Sequence, residues 1–216
     1  MPHLTTSVKL EPITHTFTAY MSIFCDGACK GNGQRGAVGG WAFAFWPGAA
    51  RGEPATAGAE KLGLGPSHEP PTNQRAELKA LLESLKFAAT LSQPVTIYTD
   101  SMYAMNCATV WGPSWKKADW KRSSGEPLQN LDLIRPLVDV WMSKRVAIRH
   151  VRGHQTGSGP EVWGNNWVDR AAVAGAEGVT LTASVVSLSP APSPSPSPFQ
   201  STRPPVKQAD IRKWFS

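Results

Sequence analysis

The sequence predicts an α/β domain in which a three-strand antiparallel meander leads into alternating helices and strands. Three observations predict it. Runs rich in aromatic and β-forming residues at 19–25, 39–46 and 56–64 are separated by glycine- and proline-rich turns. Leucines at 78, 81, 82 and 85 then keep helical spacing, so one helix face is buried. Pro94 ends that helix, and Val95-Thr96-Ile97-Tyr98-Thr99 reads as a buried strand, giving the helix–strand alternation of α/β folds.

Residues 1–18 are polar and aperiodic and are expected to form a loose arm. The first strand runs into Phe24-Cys25-Asp26-Gly27-Ala28-Cys29-Lys30-Gly31-Asn32-Gly33. This stretch places one carboxylate, Asp26, and is expected to break at Gly27 into a glycine-rich turn, since glycines at 27, 31 and 33 let a backbone approach closely. Asp-Gly is equally an ordinary hairpin turn, so its meaning depends on whether other carboxylates converge on Asp26. The second strand is GGWAFAFW at 39–46, and a Gly/Pro-rich loop at 65–71 follows the third.

Thr72 or Asn73 can N-cap the leucine-rich helix, and Glu77 stands in its first turns, beside the apolar stripe. Asp100 lies at the C-terminal end of the 95–99 strand, where open α/β sheets place their ligand sites, and Ser101 can cap the next helix. Residues 111–122 (WGPSWKKADWKR) interleave three tryptophans with four cations and one acid, which suits stacking on bases or sugars and pairing with phosphates. The same segment also fits a solvated helix whose tryptophans pack inward. Leu128, Leu131, Ile134, Leu137, Val138 and Trp141 mark a further helix containing Pro136, which is expected to kink it or reset its start. Residues 146–151 form the last strand, His154 opens a glycine-rich loop at 153–164, and 165–177 form a small-residue helix bearing Asp169.

Composition narrows the function. The net charge is +6, divided between 18 Lys/Arg against 15 Asp/Glu in 1–178 and four against one in 179–216, which permits an anionic partner. Three cysteines, 25, 29 and 107, are too few for a secreted disulfide scaffold, and C-x₃-C without a second pair is poor zinc spacing. No secretory signal and no apolar run long enough to cross a membrane is visible, so a soluble protein of a reducing compartment is expected.

Asp26, Glu77, Asp100 and Asp169 are four carboxylates from four elements. Each alone is most often a solvated acid. Crowded together they would repel unless cations lay between them, and hard oxygen ligands suit Mg²⁺. Two such ions about 3.5–4 Å apart can activate a water and stabilise a leaving phosphodiester oxygen.

The chain resembles ribonuclease H type 1. The resemblance rests on Asp26-Gly27-Ala28-Cys29 with Asn32, Thr72-Asn73-Gln74-Arg75-Ala76-Glu77-Leu78, and Thr99-Asp100-Ser101-Met102. The basic handle at Trp111–Arg122, Asn130, His150-Val151-Arg152-Gly153-His154 and Asn165-Asn166-Trp167-Val168-Asp169 follow in family order, covering residues 19–178. It implies the ribonuclease H fold, a five-stranded mixed sheet flanked by helices, and endonucleolytic cutting of RNA in RNA–DNA hybrids. Asp26, Glu77, Asp100 and Asp169 would hold two Mg²⁺, with Mn²⁺ as a possible substitute and Asp26 bridging both ions. His154 would assist proton transfer or product release. Cys29, Asn32, Asn73, Gln74 and Met102 would line the minor groove and sense 2′-hydroxyls. Trp111, Trp115, Lys116, Lys117, Trp120 and Lys121 would form the DNA-strand channel, and Arg35, Thr72 and Asn130 would hold a DNA phosphate. His154 and Asp169 are 15 residues apart, longer than the family's usual spacing, so 155–164 is expected to carry an insertion.

Beyond Gly178, residues 179–207 form a Ser/Pro-rich stretch expected to be an extended linker. Gln208-x-x-Ile211-x-x-Trp214-Phe215, within 208–216, resembles the peptide by which replication proteins dock on the ring-shaped sliding clamp PCNA. The resemblance implies a monomeric catalytic domain tethered to a clamp, acting inside cells at DNA replication sites in a nucleus, an archaeal cytoplasm or a viral replication compartment. Two other readings compete with it: an integrase-like DNA nuclease of the same broad fold, and a non-catalytic hybrid-binding adaptor.

Overall fold

The computed structural model describes residues 21–122, 125–144 and 146–181. Three strands form the meander: β1 (Met21–Lys30), β2 (Val38–Trp46) and β3 (Thr56–Leu62). Helix α1 (Asn73–Thr90) leads to β4 (Val95–Thr99). Next come α2 (Met102–Asn106), a π-helical turn (Cys107–Trp111) and α3 (Gly112–Lys117). Helix α4 (Leu131–Lys144), β5 (Ala147–His150) and α5 (Pro160–Ala176) complete the order. The sheet runs β3-β2-β1-β4-β5. Pairing is antiparallel within the meander and parallel from β1 through β4 to β5, so the five-stranded mixed sheet is present as expected.

Alternation along the strands sorts the core. Ile23 and Cys25 of β1, with Trp41, Phe43 and Phe45 of β2, meet Leu78, Leu81, Leu82 and Leu85 of α1 and Ile134, Leu137 and Val138 of α4. Phe24 turns to the other face with Ala44, Trp46 and Val168 of α5, and its ring stacks on Tyr98 at 4.7 Å. One helical layer therefore contains α1 and α4, and the other is α5.

Several boundaries differ from the sequence reading. Strand β1 does not break at Gly27: Gly27 and Ala28 pair with Trp41 and Gly40, and the turn begins only at Gly31. Strand β3 stops at Leu62 rather than residue 64. Helix α5 starts at Pro160, not 165, because proline suits a first helical turn. The expected insertion is thus partly an extra helical turn, held where the Trp163 indole donates to the Gly52 carbonyl at 3.2 Å. Buried Leu128 precedes α4 instead of belonging to it, and Pro136 stands inside that helix without ending it. Residues 179–181 are not free linker: Ala59 and Leu181 exchange two backbone hydrogen bonds of 3.0 and 2.8 Å at the outer edge of β3. The expected arm at 1–18, the rest of the linker and the peptide residues Gln208, Ile211, Trp214 and Phe215 lie outside the described residues. No helix among the described residues is long and apolar enough to cross a membrane.

Candidate active site

The last β1–β4 partners, Cys25 and Thr99, set the next residues, Asp26 and Asp100, side by side where β4 ends. Helix α1 brings Glu77 to them. Thr72 caps that helix, its hydroxyl oxygen accepting from the Arg75 amide at 3.2 Å. The helix lies on β1 at Gly27, where any Cβ would overlap the backbone of Ala76 and Glu77. Ligand oxygens of Asp26, Glu77 and Asp100 all fall within 4.8 Å of one another.

Burial and crowding disfavour the ionised forms of Asp26 and Glu77. Asp26 is 6% exposed, and its carboxyl is pushed up to about 7, chiefly by burial and then by the Asp100 charge. The Gly27 amide, donating to Asp26 Oδ1 at 2.7 Å, works in the opposite direction. Glu77 is held well above the ordinary carboxylate range, again by burial first and then by Asp26 and Asp100. Glu77 Oε2 is buried without a hydrogen-bond partner. An orphaned carboxylate oxygen facing two more carboxylates is a poor protein interior and a suitable hard-cation cradle. The residues present therefore fit a divalent metal.

Asp169 is not in the close trio. It comes from α5, a third of its side chain is exposed, and its charge nonetheless raises the Asp26 carboxyl. His154 Nδ1 lies 3.9 Å from Asp169 Oδ2 at the site's exposed rim, with the His154 backbone in the left-handed region at φ 50°.

The expected nucleic-acid contacts separate into two groups. Asn32 Oδ1 accepts from the Asn73 amide at 3.0 Å, and the Cys29 thiol donates to the Pro71 carbonyl at 3.3 Å, so the β1 turn and the α1 start form one surface. Gln74 and Met102 are exposed beside it, and Arg35 is exposed on the turn. Thr72 is occupied as the cap. Asn130 is tied inward: its amide oxygen accepts from Arg75 at 3.3 Å and its nitrogen donates to the Tyr103 hydroxyl at 3.2 Å.

The handle combines both of its sequence readings. Trp111 is 39% exposed, with its ring against Tyr103 and Trp115, while Trp115 and Trp120 pack partly against the core. Lys116 pairs with Asp139 of α4 at 2.5 Å, and the Arg135 guanidinium lies 5.4 Å from the Trp120 ring. Lys117 and Lys121 are exposed, Lys121 reaching Asp119 at 3.3 Å.

The sequence reading gave no role to Asn165, although it lies one helical turn before Asp169 and so on the same face of α5. Its side-chain nitrogen donates to Asp100 Oδ2 at 3.3 Å. It also gave no role to the Arg75–Asp132 pair, bonded twice at 2.9 and 2.6 Å, which joins the starts of α1 and α4. That pair is not visible in sequence because its members are 57 residues apart.

The RNase H family model matches residues 18–177. The chain belongs to the RNase H family. Among curated proteins, this RNase H is 34% identical over 154 residues to a ribonuclease H of Schizosaccharomyces pombe, covering 71% of the chain and 52% of that relative. It thus spans about half the length of the yeast protein. It is 39% identical over 144 residues to ribonuclease HI of Pseudomonas aeruginosa, covering 64% of the chain and 84% of that protein. Among solved structures it resembles LC9-RNase H1, described as a type 1 RNase H with the type 2 active-site motif. There the TM-score is 0.55 and the identity 26%, over 78% of this chain and 79% of the other. These matches make the protein a ribonuclease H, and their family coincides with the one the motifs indicated.

Proposed function

We propose that this ribonuclease H is a Mg²⁺-dependent endonuclease that cuts the RNA strand of RNA–DNA hybrids. The observation that carries the reading is the convergence of Asp26, Glu77 and Asp100 at the end of β4, with Glu77 Oε2 buried and unpartnered. Asp26, Glu77, Asp100 and Asp169 would hold two ions. Bound there, the cations supply a water acidic enough to attack and charge stabilisation for the leaving oxygen. The protein's own part is to fix the carboxylates before substrate arrives and to keep Asp26 largely buried. His154 at the exposed rim, beside Asp169, is in reach of solvent and suits a proton carried to or from the departing group.

Hybrid is recognised by the surface of Cys29, Asn32, Asn73, Gln74 and Met102, whose polar atoms suit 2′-hydroxyls, and by the handle carrying Trp111 and Lys117. The foamy viral protease–reverse transcriptase, which shares this fold at a TM-score of 0.59, has been solved in complex with an RNA/DNA hybrid. A labelled hybrid incubated with Mg²⁺ tests the reading. Cleavage of the RNA strand is expected, and undiminished cutting by Asp100→Asn would sink the assignment of the site. Equal cutting of duplex DNA would favour the integrase-like alternative, and binding without cleavage in either Mg²⁺ or Mn²⁺ the adaptor.

The tail suggests where the enzyme acts. Gln208, Ile211, Trp214 and Phe215 have the spacing of a clamp-docking peptide, and 182–207, beyond the Leu181 contact with β3, would span at most roughly 80 Å if extended. A monomeric catalytic domain held that close to a sliding clamp would meet replication-associated hybrids, such as primers, at high effective concentration inside the cell. Trp214→Ala with Phe215→Ala should abolish stimulation by purified clamp while leaving cleavage without clamp intact. Equal stimulation of the variant and the parent chain would remove the tail's role.

A further inference from the structure

Asp100 is held from sides that the cation-binding reading does not use. The Asn165 side-chain nitrogen donates to Asp100 Oδ2 at 3.3 Å. Any Cβ at Gly153 would overlap that same oxygen, so the loop after β5 packs against it with no side chain between. His150 Nε2 lies 3.1 Å from the Asp100 carbonyl. Asn165 itself is 2% exposed and comes from α5, on the opposite side of the sheet from α1. Its own amide oxygen is buried and has no hydrogen-bond partner.

This is an expensive way to place an asparagine. A buried carbonyl without a partner is destabilising, and an apolar residue would avoid that cost. The compensating property is that an amide donates to a carboxylate without adding charge. A lysine or arginine at 165 would hold Asp100 more strongly but would compete with a cation for it. An aspartate would add a fourth negative charge to the trio. Asparagine restrains one oxygen of Asp100 and leaves the other to the site.

We propose that Asn165 is a positioning residue of the metal site: it holds Asp100 Oδ2 so that the remaining carboxylate oxygen faces the cation. The proposal rests on the metal-dependent reading above. Residues that orient ligands in this way typically change metal affinity by about 10–100-fold when lost. Asn165 acts through Asp100 and is not assigned a contact with substrate, so the Michaelis constant for hybrid should not move.

The test uses the full chain. Mg²⁺ binding is measured by calorimetry, and Mn²⁺ binding by the loss of the free-ion paramagnetic resonance signal. Asn165→Ala is expected to bind both ions about tenfold more weakly at unchanged hybrid KM. Asn166→Ala, whose amide donates to the Gln155 carbonyl rather than to an acid, should bind them like the parent. A folded Asn165→Ala chain that binds Mg²⁺ within twofold of the parent overturns the proposal. Should that variant fail to fold, the parent decides through the ¹⁵N spectrum of the Asn165 side-chain amide. Movement of this signal on Mg²⁺ titration supports the proposal, and an unmoved signal in a chain that binds Mg²⁺ overturns it. A parent chain that binds neither Mg²⁺ nor Mn²⁺ removes the metal-dependent reading itself, and this inference with it.

Discussion

Gly27 and Glu77 touch backbone to backbone: a Cβ on Gly27 would overlap the Glu77 amide nitrogen and the Ala76 carbonyl carbon. The absence of a side chain at 27 is thus what lets α1 lie against β1 and carry Glu77 to Asp26. Gly27→Ala must push the helix away. It should cost about 3 kcal/mol in urea melts, at the upper end of overpacking effects, and should depress hybrid cleavage further than the lost stability explains. A variant with parental activity would show that the helix can shift without moving Glu77.

The crowded carboxylates give a pH dependence with a definite sign. Unfolded, Asp and Glu titrate near 4, whereas folded Asp26 titrates at about 7 and Glu77 is likewise raised. The stability these protonated groups lend is complete below about pH 4 and is lost as pH rises through about 7. In chelator, Asp26→Asn should therefore gain on the parent between pH 5 and pH 8, by roughly 1–3 kcal/mol in denaturant melts. Saturating Mg²⁺ should erase most of that gain, because the parent then binds its cation in the ionised state. Parallel pH profiles for the two chains would contradict this.

The Arg75–Asp132 pair supports the surface that Asn130 belongs to. The Arg75 side chain is 9% exposed and the Asp132 side chain 31% exposed, so removal of the acid leaves a mostly buried cation facing solvent on one side only. Asp132→Ala should cost about 2 kcal/mol, less than a fully buried pair would. It should also weaken hybrid binding, since Asn130 shares the Arg75 guanidinium. A double-mutant cycle with Arg75→Met measures the coupling, and a coupling near zero would show that the two side chains act independently.

The handle's cations are not equivalent. Lys116 is tied to Asp139, Lys121 to Asp119, and Arg122 to Glu126, while Lys117 has no ion pair among the described residues. If these cations meet phosphates, Lys117→Ala should reduce the slope of log affinity against log salt by about 1, and Lys116→Ala by less. Asp139→Ala should tighten hybrid binding by a few-fold by releasing Lys116. Equal slopes for both lysine variants would mean that the Asp139 pair opens when substrate binds.

The chain order of strands and helices was legible because each carried a local signal: aromatic runs, leucine spacing, Pro94. The acids were legible because each stands in a short motif, Asp26-Gly27-Ala28-Cys29, Arg75-Ala76-Glu77-Leu78, Thr99-Asp100-Ser101-Met102 and Asn166-Trp167-Val168-Asp169, and the motifs follow one another in family order. The first-turn register of α5 was not. Its first residues, Pro160-Glu161-Val162-Trp163-Gly164, look like loop, and only the Trp163 contact with Gly52, more than a hundred residues away in sequence, makes a helical turn there worthwhile. Asn165 was misjudged for a similar reason. Its value comes from Asp100, 65 residues earlier, and nothing near it in sequence announces that partner. Gly27 reads as a turn residue when glycine is valued for its freedom, whereas here its smallness matters and its backbone stays extended in the strand.

The hydrogen-bonded closure of Ala59 on Leu181 also sets a mechanical order. Tension applied through the chain beyond Leu181 falls first on two hydrogen bonds at the rim of β3. Between that rim and Asp26 stand β3 and β2, so the rim can peel while the strands carrying the acids keep their registry. A load reaching the domain from its C-terminal side would thus be absorbed by a replaceable seam rather than by the catalytic geometry.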